Sequence, residues 1–270
     1  MIAQAIRSLL FYLLFIGQTA ILALFIGTVT LFLPKDKPAP AFLWAIGRYW
    51  GRSNLVFLRY VVGIRSSVEG TENIPQGGCI IAAKHQSDWD ILAIMPHTKL
   101  PAFIAKRELL DIPFFGWAAR LLNTISVDRK LGGQALPLML AEAAEKLKHG
   151  SEVIIFPEGT RRPPLAPPEY KFGITRLYLA LNVPVVPVAV NSGLFWGRNS
   201  PVLWPGTARA RFLPAIPPGL AQQEFQARLV DTIEAASRDL ALGAFREGLA
   251  RPIPPELRQR FEAAQASVEP

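Results

Sequence analysis

The chain has 270 residues, 50% of them hydrophobic, with 29 Lys and Arg against 21 Asp and Glu and a formal charge of +8. Its single cysteine, Cys79, excludes an intrachain disulfide and a Cys-based metal site, and fits a reducing, cytosolic face. A basic balance suits nucleic acid, an anionic membrane or acidic substrates; without a zinc finger, a Gly-rich RNA-binding signature or a basic tract, nucleic acid is set aside and the other two lead.

Mean hydropathy is +0.25, and the excess sits mainly in the first third. From Ser8 to Leu33 no residue is charged. Roughly 26 residues at about 1.5 Å rise exceed the ~30 Å hydrocarbon core of a bilayer. A signal peptide would have an apolar region of about 7–15 residues followed by small residues at a cleavage site. This segment is longer and runs into Leu33-Pro-Lys-Asp-Lys37, so it reads as a retained anchor. Gly17, Gln18 and Gly27 leave a spanning helix and a bent, re-entrant hairpin both open. In the next stretch, Phe42 to Val61, helical spacing gathers Arg48, Arg52 and Arg59 in a stripe about 40° wide. Phe42, Leu43, Ile46, Trp50, Phe57 and Val61 take the far side. Such a helix suits the lipid headgroup boundary, and equally a surface helix packed on a globular domain.

From about Ser66 short β-rich runs alternate with helical stretches. Cys79–Ala83, Thr124–Val127, Val153–Phe156 and Val185–Val190 are compact apolar runs, as expected of strands buried on both faces. Gln134–Lys148 and Ile174–Leu181 read as helices between them, and Ala221–Leu249 as a charged, Ala-rich helical region. The Pro- and Gln-rich stretch from Pro252 is expected to be a peripheral tail. The alternation predicts an α/β fold: a mixed, largely parallel sheet flanked by helices, preceded by an N-terminal membrane-anchoring helical segment. The division is an anchor with an interfacial helix over 1–64, an α/β domain over 65–250, and a polar tail over 251–270.

Two strand ends carry the clearest chemistry. Lys84-His85-Gln86-Ser87-Asp88-Trp89-Asp90 follows the first buried run. Histidine titrates near neutrality and serves as a general base, a role worth about 10²–10⁴ in rate. On one continuous helix His85 and Asp90 would point about 140° apart. They meet only if His85 sits on a turn and Asp90 in the first helical turn, which Ser87 as N-cap would arrange. By itself the pattern is also that of a plain capped helix. Phe156-Pro-Glu-Gly-Thr-Arg-Arg162 follows a second strand, where α/β folds place ligands. Arginine's planar fork suits phosphate oxygens, and hydrogen bonds to charged groups contribute roughly 1.5–3 kcal/mol. Ser126-Val-Asp-Arg-Lys130 is a third strand ending in cations. Val183-Pro-Val-Val-Pro-Val188 precedes Asn191-Ser-Gly193, and its prolines predict an edge strand or pocket wall.

In this order, His85-x-x-x-x-Asp90, Arg129 after a strand, Phe-Pro-Glu-Gly-Thr-Arg and Val-Pro-Val-Val-Pro-Val resemble the four motif blocks of the 1-acylglycerol-3-phosphate acyltransferase family. Lys106-Arg-Glu-Leu109, Pro113-Phe-Phe-Gly-Trp117 and Tyr170-Lys-Phe-Gly173 extend the resemblance, which covers residues 65 to 215 or so. It implies an α/β acyltransferase in which His85 deprotonates an acceptor hydroxyl for direct attack on a thioester and Asp90 orients the imidazole. By the same resemblance Arg129 and Arg161 hold the acceptor phosphate, Glu158, Gly159 and Thr160 shape that pocket, and Lys106 adds positive charge. The implied acceptor is lysophosphatidic acid and the donor acyl-CoA or acyl carrier protein. The setting is the lipid bilayer, at the cytoplasmic membrane with the site facing the cytosol, and no cofactor or metal is required. His85, His97 and His149 are too scattered to form a ligand cluster, and the last two are expected at the surface. Lys84 departs from the family's frequent asparagine, and Asn123 and Ser126 from its usual Gly and Phe. Other acceptors remain open: glycerol 3-phosphate, a lysophospholipid or a lyso-aminolipid. From other classes, a membrane-bound hydrolase lacks a Gly-x-Ser-x-Gly elbow, and a non-catalytic scaffold would not need His85.

Overall fold

The computed structural model describes residues 1–32, 41–112 and 115–266, and of Thr30 and Arg129 the backbone alone. The expected Lys35-Asp-Lys37 boundary, and Pro113 and Phe114 of the Pro-Phe-Phe-Gly-Trp motif, lie outside the described residues.

Helix α1 (Ile2–Thr30) is continuous, so no hairpin forms at Gly17 or Gly27; α2 (Ala41–Phe57) follows and closes in a π-turn over Leu58–Val62. The α/β part runs β1 (Ile64–Glu69), β2 (Cys79–Ala83), α3 (Trp89–Ile94), β3 (Pro101–Lys106), α4 (Arg107–Leu110), α5 (Phe115–Leu121), β4 (Ile125–Val127), α6 (Ala135–Lys148), β5 (Glu152–Ile155), α7 (Gly173–Leu181), β6 (Val185–Val190), β7 (Gly206–Phe212), α8 (Gln222–Glu247) and α9 (Pro255–Ala266). The seven strands form one sheet in the order β1-β7-β6-β2-β5-β3-β4. Among the pairings of these seven described strands, only β6–β7 is antiparallel. The mixed, largely parallel α/β sheet expected from the sequence is therefore present, and β2, β5, β3 and β4 all end at the same edge.

Strand alternation divides the core. Cys79, Ile81 and Ala83 of β2 face one cluster with Trp89, Trp196 and Phe212, while Ile80 and Ala82 face another with Met139, Tyr178 and Phe225. A strand buried on both faces has no polar side, which is why β2 reads as an unbroken apolar run. β6 is not at an edge as its prolines suggested; it lies between β7 and β2. Its even-numbered residues face β2, with the amides of Ile80 and Lys84 donating to the carbonyls of Pro184 and Val188. Pro187 faces the other way, and the β6–β7 ladder begins only at Val188 opposite Phe212. Its missing N–H thus costs no ladder hydrogen bond, and its carbonyl accepts from Leu213 N at 2.9 Å.

The termini are less separable than the sequence suggested. Phe11 of α1 is fully buried in the main core. The expected polar tail contains α9, which buries Leu257 and Phe261, with Phe261 stacked on Phe245 of α8 at 4.4 Å. Two apolar residues four apart are enough to dock a short helix whose remaining positions are polar.

α1 also does not stand clear of the domain. Near its start Gln4 donates to the carbonyls of Leu203 (2.7 Å) and Val62 (3.2 Å), and Ser8 Oγ accepts from Leu203 N at 2.9 Å. Those partners flank β7 and β1. Near its end Gly27 lies against Trp117 of α5, with room for a Cβ only 3.0 Å from the ring. Because α5 leads into β4 at the opposite margin, α1 arches over the width of the sheet. A helix of this length, about 43 Å, is ample for six strand spacings of about 4.8 Å. Its other face leaves Ile6, Leu9, Leu13, Ile16, Ile21 and Phe25 exposed.

Candidate active site

His85 leaves β2 at the common strand edge, and Asp90 lies in the first turn of α3. His85 Nδ1 and Asp90 Oδ2 are 2.9 Å apart. The same Oδ2 accepts from the backbone amides of Gln86 (2.7 Å) and Ser87 (2.9 Å), while Oδ1 accepts from the Ser192 hydroxyl. Four donors thus converge on a carboxylate that is 1% exposed. A carboxylate facing Nδ1 fixes the imidazole proton there and leaves Nε2 a free lone pair. Phe156 backs the ring face to face, 4.0 Å between centroids. The helix start differs by one residue from expectation: the N-cap is Asp88, whose side chain caps nothing. Asp90 reaches back to Ser87 N as in a capping box, but Ser87 Oγ accepts from Trp89 N at 3.0 Å rather than from Asp90 N, so only half of the expected reciprocal pair forms.

The turn after β5 closes onto this one. Gly159 takes φ +66, which favours glycine, and its amide donates to Phe156 O at 2.9 Å. Arg162 N donates to His85 O at 2.8 Å. Glu158, expected to shape the acceptor pocket, instead turns inward and is 1% exposed. Its Oε1 accepts from Lys84 Nζ (3.1 Å) and its Oε2 from His85 N (3.0 Å). Burial pushes the Glu158 carboxyl up, and the Lys84 ammonium works against that rise.

A cavity of about 590 Å³ opens at His85 and runs beneath α1 and α2. Gly159, Thr160, Arg161 and Lys106 line it together with His85, as do Asp88, Lys171 and Arg198; Trp50, Gly47, Ala23, Phe103, Leu122 and Met139 make other parts of its wall apolar. Arg161 and Asp88 form an ion pair at 2.6 Å, whereas Arg162 pairs with Glu169 at 2.9 Å. Burial raises the Asp88 carboxyl, against the lowering effect of Arg161. Arg129 opens the 3-10 turn after β4, at the edge shared with His85; its side chain lies outside the described residues. His97 and His149 are both exposed, and His149 Nε2 lies 3.1 Å from Glu145.

Residues 65–191 match the Acyltransferase family. The 1-acyl-sn-glycerol-3-phosphate acyltransferase of Pseudomonas aeruginosa is 38% identical over 213 residues, covering 79% of this chain and 81% of that protein. The chain belongs to the 1-acyl-sn-glycerol-3-phosphate acyltransferase family. The human 1-acyl-sn-glycerol-3-phosphate acyltransferase alpha is 33% identical over 202 residues, 73% of this chain and 69% of that protein. The crystal structure of the 1-acyl-sn-glycerophosphate acyltransferase PlsC from Thermotoga maritima, at 28% identity, superposes with a TM-score of 0.73 over 88% of this chain and 97% of the other. The resemblance read from the four motif blocks holds, as does the fold class read from the alternation of strands and helices.

Several residues of this acyltransferase's site escape a motif reading. Ser192 sits in the Asn191-Ser-Gly run after β6, but its bond to Asp90 spans 102 positions. Lys171 falls within the Tyr170-Lys-Phe-Gly stretch, a usable signal. Asp88 and Arg198 carry no local signal that would single them out in the sequence. Nothing local announces Glu234, on α8, as a partner of Lys84 at 2.6 Å.

Proposed function

We propose that this chain transfers a fatty acyl group from a thioester donor, acyl-CoA or acyl carrier protein, to the 2-hydroxyl of 1-acylglycerol 3-phosphate, yielding phosphatidic acid. The observation that carries this reading is the His85–Asp90 pair at 2.9 Å, at the mouth of an apolar cavity that also presents Arg161. A base, an anion-binding guanidinium and a space for a hydrocarbon chain are the three requirements of acyl transfer to a lysophosphatidic acid.

In the proposed reaction Nε2 of His85 takes the proton of the acceptor hydroxyl as the oxygen attacks the thioester carbonyl. Collapse of the tetrahedral intermediate breaks the C–S bond, and the imidazolium returns its proton to the departing thiolate. Asp90 stabilises the imidazolium while it exists. Arg161, joined by Arg129 from the end of β4, holds the acceptor phosphate, with Lys106 and Lys171 adding positive charge nearby. Gly159 and Thr160 form the wall beside that phosphate. The acyl chain of the donor lies in the apolar cavity under α1 and α2, away from water. No step calls for a metal or cofactor.

The outward face of α1 supports a membrane seat. The helix over Ile2–Val29 contains a stretch of mean hydropathy 2.4 and is long and apolar enough to cross a bilayer. Contacts with the domain at both ends of α1 favour a helix lying in one leaflet, its exposed apolar row in lipid. Acceptor and product, both lipids, then exchange laterally beneath α1. The active site faces the cytosol, where thioester donors are held.

Product analysis tests the proposal. Purified enzyme given 1-acylglycerol 3-phosphate and a long-chain acyl thioester is expected to yield phosphatidic acid with equimolar free thiol. Release of free fatty acid without phosphatidic acid would make the protein a hydrolase. Transfer confined to a lysophospholipid or lyso-aminolipid would reassign the acceptor.

A further inference from the structure

Beneath the catalytic turn lies a buried polar cluster that none of the proposed steps uses. The Lys84 side chain is 2% exposed, and Nζ meets Glu158 Oε1 at 3.1 Å and Glu234 Oε1 at 2.6 Å. Glu234 comes from α8, far from the motif blocks, and the same oxygen accepts from Tyr170 OH at 2.9 Å. Glu158 Oε2 in turn accepts from the His85 amide at 3.0 Å. With Arg162 N bonded to His85 O at 2.8 Å, the peptide units flanking the His85 α-carbon are tied to the β5 turn on both sides.

We propose that Lys84 and Glu234 are positioning residues for His85, acting through Glu158. This rests on the reading of His85 as the base. The physical need is plain. Glu158 can hold the His85 amide only if its carboxylate stays where it is, and an unpaired carboxylate buried to this degree is strongly destabilised. Lys84 supplies the compensating charge. It too would be costly alone against one partner in fixed geometry, and Glu234 anchors its far side while Tyr170 holds Glu234. The cluster thereby makes the placement of the imidazole depend on α8. Lys84 follows β2 directly and lies one residue before His85, so its displacement moves the base itself. Misplacement of a catalytic group by about 1 Å costs on the order of 10² in rate.

The test is a mutant series in the full-length, membrane-associated enzyme, assayed for phosphatidic acid formation with melting temperature recorded for each variant. Lys84→Met is expected to lower kcat about tenfold or more while leaving KM for acceptor and donor within about twofold, the signature of lost base alignment rather than lost binding. Glu234→Ala is expected to lower kcat in the same manner, and Glu234→Gln, which keeps an acceptor oxygen for Lys84 and Tyr170, to restore most of it. The double variant Lys84→Met/Glu234→Gln should be no worse than Lys84→Met alone, because both act on one element. Since Lys84→Met removes a buried charge and can unfold the chain, the Glu234 pair decides the matter on its own: wild-type kcat in folded Glu234→Ala overturns the proposal. A rise in acceptor KM with kcat unchanged overturns it too, by giving the cluster a binding role. His85→Ala serves as the reference. If it retains turnover, the base assignment fails; if it is inactive while folded Lys84 and Glu234 variants turn over normally, only the positioning role fails.

Discussion

Asp88 and Arg161 form an ion pair 2.6 Å long at the mouth of the cavity, beside the His85 imidazole. Arg161 is the guanidinium proposed to receive the acceptor phosphate, and its Nη1 donates to this carboxylate of the neighbouring turn. A phosphate arriving there must displace Asp88 or lie against a like charge.

Asp88→Asn therefore removes a competitor. Pairs as accessible as this one contribute roughly 0.2–1 kcal/mol, so acceptor KM should fall by up to about fivefold with little change in donor KM. Steady-state kinetics with both substrates varied checks this. A higher acceptor KM would mean that Asp88 orients Arg161 rather than competing for it.

The cavity sets a second expectation. Gly47 on α2 lines it, and a Cβ built there meets Leu122 and Met95 at an ordinary 3.6 Å. Gly47→Leu suits a helix and projects its branched end into the space proposed for the acyl chain. Competition between short- and long-chain donors should then shift toward the short ones, with melting temperature held or raised. An unchanged chain-length preference would place the acyl group elsewhere.

The outward row of α1 gives a third. Leu13 and Ile16 are each 62% exposed, so Leu13→Glu or Ile16→Glu breaks no core contact. Each should weaken sedimentation with phospholipid vesicles, most clearly when combined, while circular dichroism stays unchanged. Equal vesicle binding by the double variant would contradict a membrane seat on this face.

How far the sequence anticipates these findings depends on whether the relevant interactions are local. β2 and β6 were legible because strands buried on both faces are apolar runs, and their observed bounds coincide with the expected ones. The His85–Asp90 encounter was legible because five residues of turn and helix start determine it. The prolines of β6 misled: what matters for Pro187 is which neighbour its missing N–H faces, a property of sheet order. α9 was missed because Leu257 and Phe261 give too weak a pattern to outweigh the surrounding Pro and Gln. The inward turn of Glu158 was illegible because it is decided by Lys84 and His85, more than seventy positions away in sequence. The cavity is likewise assembled from α1, α2, α5 and α6, and no one segment carries its outline.

The assignment of His85 as general base is tested most directly by the turnover of His85→Ala and Asp90→Asn in enzyme shown to be folded and membrane-bound. Acyl transfer is expected to fall by about 10²–10⁴ in His85→Ala, with acceptor and donor binding retained, and substantially in Asp90→Asn, which keeps the shape but loses the charge that stabilises the imidazolium. Turnover of His85→Ala near that of the unaltered enzyme contradicts the assignment.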